Sequence, residues 1–240
     1  MRPAIQLYTL RDLDEPLPDL LARVGETAFE GVEFAGLGDS DPEEIRDALD
    51  DAGLEAAGAH VGIEALEDDL AGVVEIYEAL GCDRIVVPYL DESAFESEAA
   101  VSDTADRLSA IADRLDDRGV ALGYHNHDHE FVDLGGESAY EHLADATDFD
   151  LELDLGWADA AGHDPADLLA EYGDRVPLVH LKDVADTTPV ELGEGDLDVE
   201  ASVEAAEDAG TEWLIYEHDR PDDPEASLAH GAETLADLLE

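Results

Sequence analysis

One lysine stands in this 240-residue chain, at the end of the short apolar run Pro177-Leu178-Val179-His180-Leu181-Lys182-Asp183. Every other basic residue is arginine. A compact, rotatable ammonium can serve at a reaction centre where guanidinium, bulky and permanently charged, cannot. Other short apolar runs end the same way, in Glu33, His60, His125, Asp154 and Glu217. Oxygen and nitrogen donors without thiolate suit one divalent cation such as Mn²⁺, Mg²⁺, Co²⁺ or Zn²⁺. Any one of these residues, in a chain with 65 acids, is more simply an acid or imidazole satisfied by hydrogen bonds. Three successive runs each ending in Asp154, His180 and Glu217 are harder to obtain by chance, and they point to a metal centre. The densest cluster is Gly123-Tyr124-His125-Asn126-His127-Asp128-His129-Glu130-Phe131, whose bland alternative is a His-rich loop binding metal unspecifically.

The elements that must position these groups alternate along the whole chain. Strand-like runs fall at 4–7, 31–34, 54–60, 84–87, 120–125, 151–153, 176–180 and 213–216. Between and after them lie amphipathic helical patterns near 15–28, 41–52, 66–80, 97–118, 138–147, 165–172, 198–209 and 224–239. Gly53, Gly81, Gly119, Gly173 and Gly210 close helical patterns, as C-terminal caps do. Asp41-Pro42 and Asp164-Pro165 open them with a capping acid before proline. Eight alternating β and α units predict a parallel sheet with right-handed crossovers and, at this length, a single (β/α)₈ TIM-barrel domain over 1–240. An open doubly wound sheet is the competing architecture, but no Gly-rich phosphate loop follows an early strand.

In a barrel of this kind, catalytic groups sit at the C-terminal ends of the strands. On the two-residue period of a strand, Glu152 and Asp154 share one face, as do Val176, Leu178 and His180, and Trp213, Ile215 and Glu217. His125 and His127 face one way, Tyr124 and Asn126 the other. His142, His163 and His230 fall in helices or loops and are expected at the surface.

The formal net charge is −54, from 65 acids against 11 bases. In dilute buffer such a surface repels itself, whereas at molar salt the Debye length falls to about 3 Å. The composition is that expected of a halophilic, cytoplasmic protein. No segment reads as a signal peptide or a membrane span. Cys82, the only cysteine, excludes an intrachain disulfide and any multi-cysteine metal site. Neither nucleic acid nor membrane is expected as a partner, and the chain is expected to act as a monomer or homodimer.

Taken together, the stretches Tyr124-His125-Asn126-His127-Asp128-His129-Glu130-Phe131, Leu153-Asp154-Leu155-Gly156-Trp157, Val179-His180-Leu181-Lys182-Asp183 and Tyr216-Glu217-His218-Asp219 resemble the sugar phosphate isomerase/epimerase family of the xylose-isomerase-like barrels. Gly31-Val32-Glu33-Phe34-Ala35-Gly36 is similar to its second strand, and Glu191-Leu192-Gly193-Glu194-Gly195 to its Gly-Glu-Gly loop. The resemblance implies one divalent ion held by Asp154, His180 and Glu217, with a carboxylate from the fifth strand. That last position holds His125 here, and the nearest acid is Glu130, so the fourth ligand is either of these.

The implied activity is metal-assisted proton transfer next to the carbonyl of a sugar or keto-polyol, through an enediolate. Glu217 or Glu130 would act as base and Lys182 would donate to the substrate oxygen, unless Lys182 merely pairs with Asp183. His60, His127, Glu33 and Trp157 are candidate substrate contacts. Returning the proton gives isomerisation or epimerisation, and losing a β-hydroxyl gives dehydration, as in inosose dehydratase-like relatives. An AP-endonuclease-like nuclease would need three metals and a basic face, and the chain offers neither. A non-catalytic sugar-binding barrel is the remaining alternative. The acidic, Gly-rich stretch 183–198, directly after Lys182, carries no Arg or Lys, which argues against a phosphorylated substrate.

Overall fold

Short aliphatic runs too brief for a helix become the eight strands that close the barrel in this computed structural model, which describes Met1–Glu240. They are β1 (Arg2–Gln6), β2 (Gly31–Phe34), β3 (Glu55–His60), β4 (Arg84–Val87), β5 (Ala121–His125), β6 (Asp150–Asp154), β7 (Leu178–Leu181) and β10 (Trp213–Tyr216). All pair in parallel, in the order β1-β10-β7-β6-β5-β4-β3-β2, and β1 and β2 close the ring. The expected TIM barrel is therefore the fold.

Nine α-helices, rather than eight, wrap this ring: α1 (Leu17–Val24), α2 (Pro42–Ala52), α3 (Ile63–Ala79), α4 (Glu98–Asp116), α5 (Ala139–Asp145), α6 (Leu155–Ala160), α7 (Pro165–Tyr172), α8 (Val199–Ala209) and α9 (Pro224–Leu238). The unforeseen one is α6, whose six residues are too few to show a helical period. It starts on Asp154, whose side chain accepts from the Trp157 N–H. A second surprise is the antiparallel hairpin of β8 (Asp183–Ala185) and β9 (Thr188–Val190) beside the barrel mouth. Caps fall where the sequence places them at Asp41 and Asp164, which accept from Glu43 and Ala166 N–H groups. Gly53 and Gly210 end α2 and α8 in the left-handed region. Gly173 departs from that pattern: its φ is −53° and it leads into a 3₁₀ turn.

The apolar core has two parts. The larger fills the layer between sheet and helices. The smaller, Ala4, Ala57, Val86, Leu178, Trp213 and Ile215, plugs the barrel itself. Leu178, Trp213 and Ile215 thus point inward as their strand parity requires. Val176 does not join them: it precedes β7 and packs in the outer layer. Cys82 is buried there, and burial pushes its thiol up to about 12. No helix is long and apolar enough to cross a membrane.

Candidate metal centre

Above the apolar plug the barrel interior turns polar. His125 ends β5, Asp154 ends β6, His180 lies near the end of β7 and Glu217 follows β10. Register holds them level, because Asp154 pairs with His180 across β6 and β7. One donor atom from each of the four lies within 4.8 Å of the others. His125 Nε2 stands 3.3 Å from Asp154 Oδ2, and His180 Nδ1 stands 3.0 Å from Glu217 Oε2 and 4.0 Å from Asp154 Oδ2. These gaps bracket the spacing of about 3.3 Å between donors on a tetrahedral ion with bonds of about 2.0–2.1 Å.

Lys182 stands beside this group. Its Nζ lies 3.0 Å from Asp154 Oδ2, 2.9 Å from Glu217 Oε2 and 2.9 Å from Asp219 Oδ2. Asp183, the partner considered from sequence, is turned elsewhere. Its carboxylate accepts from the N–H groups of Val184, Gly193, Gly195 and Leu197, and so holds the Gly-Glu-Gly loop. Burial pulls the Lys182 pKa down, but the three acids outweigh it and hold the ammonium well above its ordinary value. Burial alone would raise Asp154 and Glu217, and Lys182 with the neighbouring imidazoles pulls Asp154 below its usual value and Glu217 well below. Burial lowers His180, but Glu152 and Glu33 outweigh it and hold the imidazole well above its ordinary value, so a second positive charge stands beside Lys182 while His180 is protonated. The mixed oxygen and nitrogen donors suit a divalent cation that would take that proton's place.

A second group lies deeper. Glu33, His60 and Glu152 close a ring with the far nitrogen of His180. His180 Nε2 is 2.7 Å from Glu33 Oε2, and His60 Nε2 is 2.7 Å from Glu152 Oε2. The other two edges are 3.2 and 3.3 Å. Two of these edges are hydrogen bonds, His180 to Glu33 and His60 to Glu152, and the four donor atoms lie within the same 4.8 Å of one another as those of the first group. Gln6 adds a bond from Nε2 to Glu33 Oε2 at 2.8 Å. The ring therefore grips the back of His180 and leaves Nδ1 facing the barrel mouth, the arrangement by which a carboxylate orients a metal-binding imidazole.

Of the expected substrate contacts, Glu33 is fully buried under His180 and does not reach the cleft. His60 and His127 line an open cleft of about 470 Å³ at the barrel mouth, with His125, Glu217 and Asp219. Burial, followed by His125 and Lys182, pushes His127 down to about 2, so it stays neutral. Trp157 is half-buried, stacked on His127 at 6.2 Å, with Lys182 Nζ 5.2 Å from its ring. Glu130 belongs to neither donor group. It accepts from Tyr124 O–H at 2.7 Å and from the His127 N–H at 2.9 Å, and it braces the loop rather than facing the mouth. His125 and not Glu130 is the fourth member of the cluster.

Three residues were not singled out from sequence. The two-residue period places Glu152 on the face of Asp154, and carried past the end of β10 it would also have found Asp219, two residues beyond Glu217. Asn126 offered no such signal. Its Oδ1 accepts from the Asp154 N–H at 2.9 Å and its Nδ2 donates to the Asp154 carbonyl at 3.2 Å, clamping that ligand's backbone. Gly156 is required by contact, since a Cβ there would stand 2.5 Å from the Lys182 carbonyl oxygen.

The comparisons agree with this fold. A family model described as xylose isomerase-like TIM barrel matches residues 18–238. An inosose dehydratase from Geobacillus kaustophilus is 27% identical over 190 residues, which cover 69% of this chain and 61% of that protein. Among solved structures, a sugar phosphate isomerase/epimerase from Parabacteroides distasonis superposes with a TM-score of 0.86 at 19% identity, over 98% of each chain. The IolI protein, whose structure holds a zinc atom, superposes with a TM-score of 0.81 at 15% identity, covering 100% of this chain and 98% of its own. At such identities the structural likeness speaks for the fold alone.

Proposed function

The chain belongs to the xylose isomerase-like TIM barrel family, and from that premise we propose that it is a divalent-metal-dependent isomerase or epimerase of a sugar or keto-polyol. The observation that carries the proposal is the four-donor group His125, Asp154, His180 and Glu217 at the barrel mouth, flanked by the chain's only lysine. When bound, a divalent ion at this place supplies Lewis acidity to a substrate carbonyl and its adjacent hydroxyl.

The protein's own groups do the rest. Lys182, kept charged by its three acids, donates to the substrate oxygen as negative charge develops on it, at a position set by those carboxylates. Glu217 and Asp219 are the carboxylates that line the cleft and can take the proton from the neighbouring carbon. Neutral His127 offers a hydrogen bond to a substrate hydroxyl without competing for the proton. Glu33 and Glu152 act through His180, keeping its Nδ1 turned to the mouth.

Dehydration is the second reading, favoured by the likeness to inosose dehydratase. It shares the first proton abstraction and differs in expelling a β-hydroxyl as water. Metal-loaded protein in heavy water, with ketoses, keto-inositols and 3-keto-glycosides, tests both readings. Deuterium entering recovered or isomeric substrate supports the isomerase, and loss of water supports the dehydratase. Neither outcome with any compound would remove the basis for an enzyme of this class.

A further inference from the structure

Four large apolar or aromatic side chains are exposed in the whole chain: Tyr8, Ile76, Tyr89 and Val132. Two of them line the same cleft. Tyr8, following β1, is 42% exposed, and Tyr89, following β4, is 50% exposed. On a surface so heavily acidic, two aromatic rings left wet at one mouth call for a ligand that covers them. The same cleft is lined by Ala35 and Gly36 after β2, His60 at the end of β3 and Pro88 after β4, and the small side chains at 35 and 36 leave room there. A Cβ on Gly36 would meet nothing within 4 Å.

Both rings are held in place. Arg11 lies over one face of Tyr8, its guanidinium carbon 3.8 Å from the ring centroid, and donates to the carbonyls of Tyr8 and Asp219. Tyr89 meets the His127 ring edge-on at 5.3 Å. An aromatic face carries negative charge density and packs well against weakly positive C–H groups. The apolar face of a pyranose presents such hydrogens, and Asp219 and His127 stand beside the gap for its hydroxyls. The carboxylates of Glu217 and Asp219 disfavour an anion there, and Arg11 is already occupied.

We propose that the gap between Tyr8 and Tyr89 is a subsite for a second, uncharged pyranose ring, so that the substrate is a two-ring glycoside rather than a free or phosphorylated monosaccharide. The inference rests on the metal group being the reacting centre, toward which the first ring would be turned. Its test needs no turnover, so failure here and failure of the proposed chemistry are separate results.

Cellobiose, maltose, glucose and glucose 6-phosphate are titrated into metal-loaded protein in molar salt, with binding read by calorimetry and saturation-transfer NMR. At least one disaccharide is expected to bind about tenfold tighter than glucose, the effect of one good ring contact. Tyr8→Ala and Tyr89→Ala should each weaken the disaccharide and leave glucose unchanged. Tyr89→Phe, which keeps the ring, should restore the tighter binding. Both tyrosines are well exposed, so truncation spares the core. Equal affinity for glucose and both disaccharides, tightest binding of glucose 6-phosphate, or an equal loss for glucose in the alanine variants would overturn the proposal.

Discussion

The two halves of the barrel interior are made by the same strands and differ by two residues. Ala4, Leu178 and Ile215 lie in the lower plug. Gln6, His180 and Glu217, each two positions further on, belong to the polar upper half. Below, close packing excludes water and no polar atom needs a partner. Above, each buried charge is costly unless paired, and the acids there stand against Lys182 and the imidazoles of His60, His125 and His180. The lower half serves cohesion and the upper half chemistry, with little exchange between the roles.

The largest effect that could break this division belongs to Glu217→Gln. Loss of a ligand and candidate base should lower turnover by about 10²–10⁴-fold, with weaker metal retention and a melting temperature little changed. A variant that keeps its turnover would remove Glu217 from the chemistry. Lys182→Met comes next, with an expected fall of about 10²–10³ in kcat, the cost of removing one donor aimed at developing charge. A change confined to KM would make the ammonium a structural counter-ion instead.

On the other side of the divide, Leu178→Ala should cost about 2–5 kcal/mol of stability while metal content stays at the wild-type value. Metal loss in that variant would show that the halves are coupled through β7. Glu33→Gln is a smaller test across the boundary. It leaves the cleft untouched but loosens His180, so metal affinity measured by chelator competition should fall about 10–100-fold. Unaltered affinity would reduce the inner ring to a packing device.

The smallest expected effect is on acid stability. His127 has an ordinary value of 6.5 when unfolded and about 2 when folded. As pH falls from 6.5, the unfolded chain gains a proton that the folded protein refuses, so His127 draws stability down between those two values. Denaturation midpoints in molar salt should therefore fall less from pH 7 to pH 5 in His127→Gln than in the wild type. Parallel slopes would mean that the imidazole is not held neutral. Molar salt belongs in each experiment because the −54 charge is expected to unfold the protein on dilution.

Much of the fold was legible because its signals are local. The strands at Gly31–Phe34, Arg84–Val87 and Trp213–Tyr216 coincide with their apolar runs. Capping residues marked α2 and α7 directly. The hairpin of β8 and β9 and the short helix α6 were not legible, being shorter than any period they could display. Within the site, Asp154, His180 and Glu217 were readable from strand ends and parity. Where Glu33 and Glu130 turn was not readable, since their environment depends on which strand or loop lies opposite.

By itself, the sequence determined the alternation of strand and helix, the kinds of donor available, and the scarcity of lysine. Those properties depend on side-chain chemistry and on periods a few residues long. Only the tertiary structure decided which donors meet: Glu33 with His180 across 147 positions, Lys182 with Asp219 rather than Asp183, and Glu130 with Tyr124 instead of the mouth. Closing the ring sets the height of every strand relative to its neighbours. That stagger, which no local pattern encodes, places some donors at a common level and buries others beneath them.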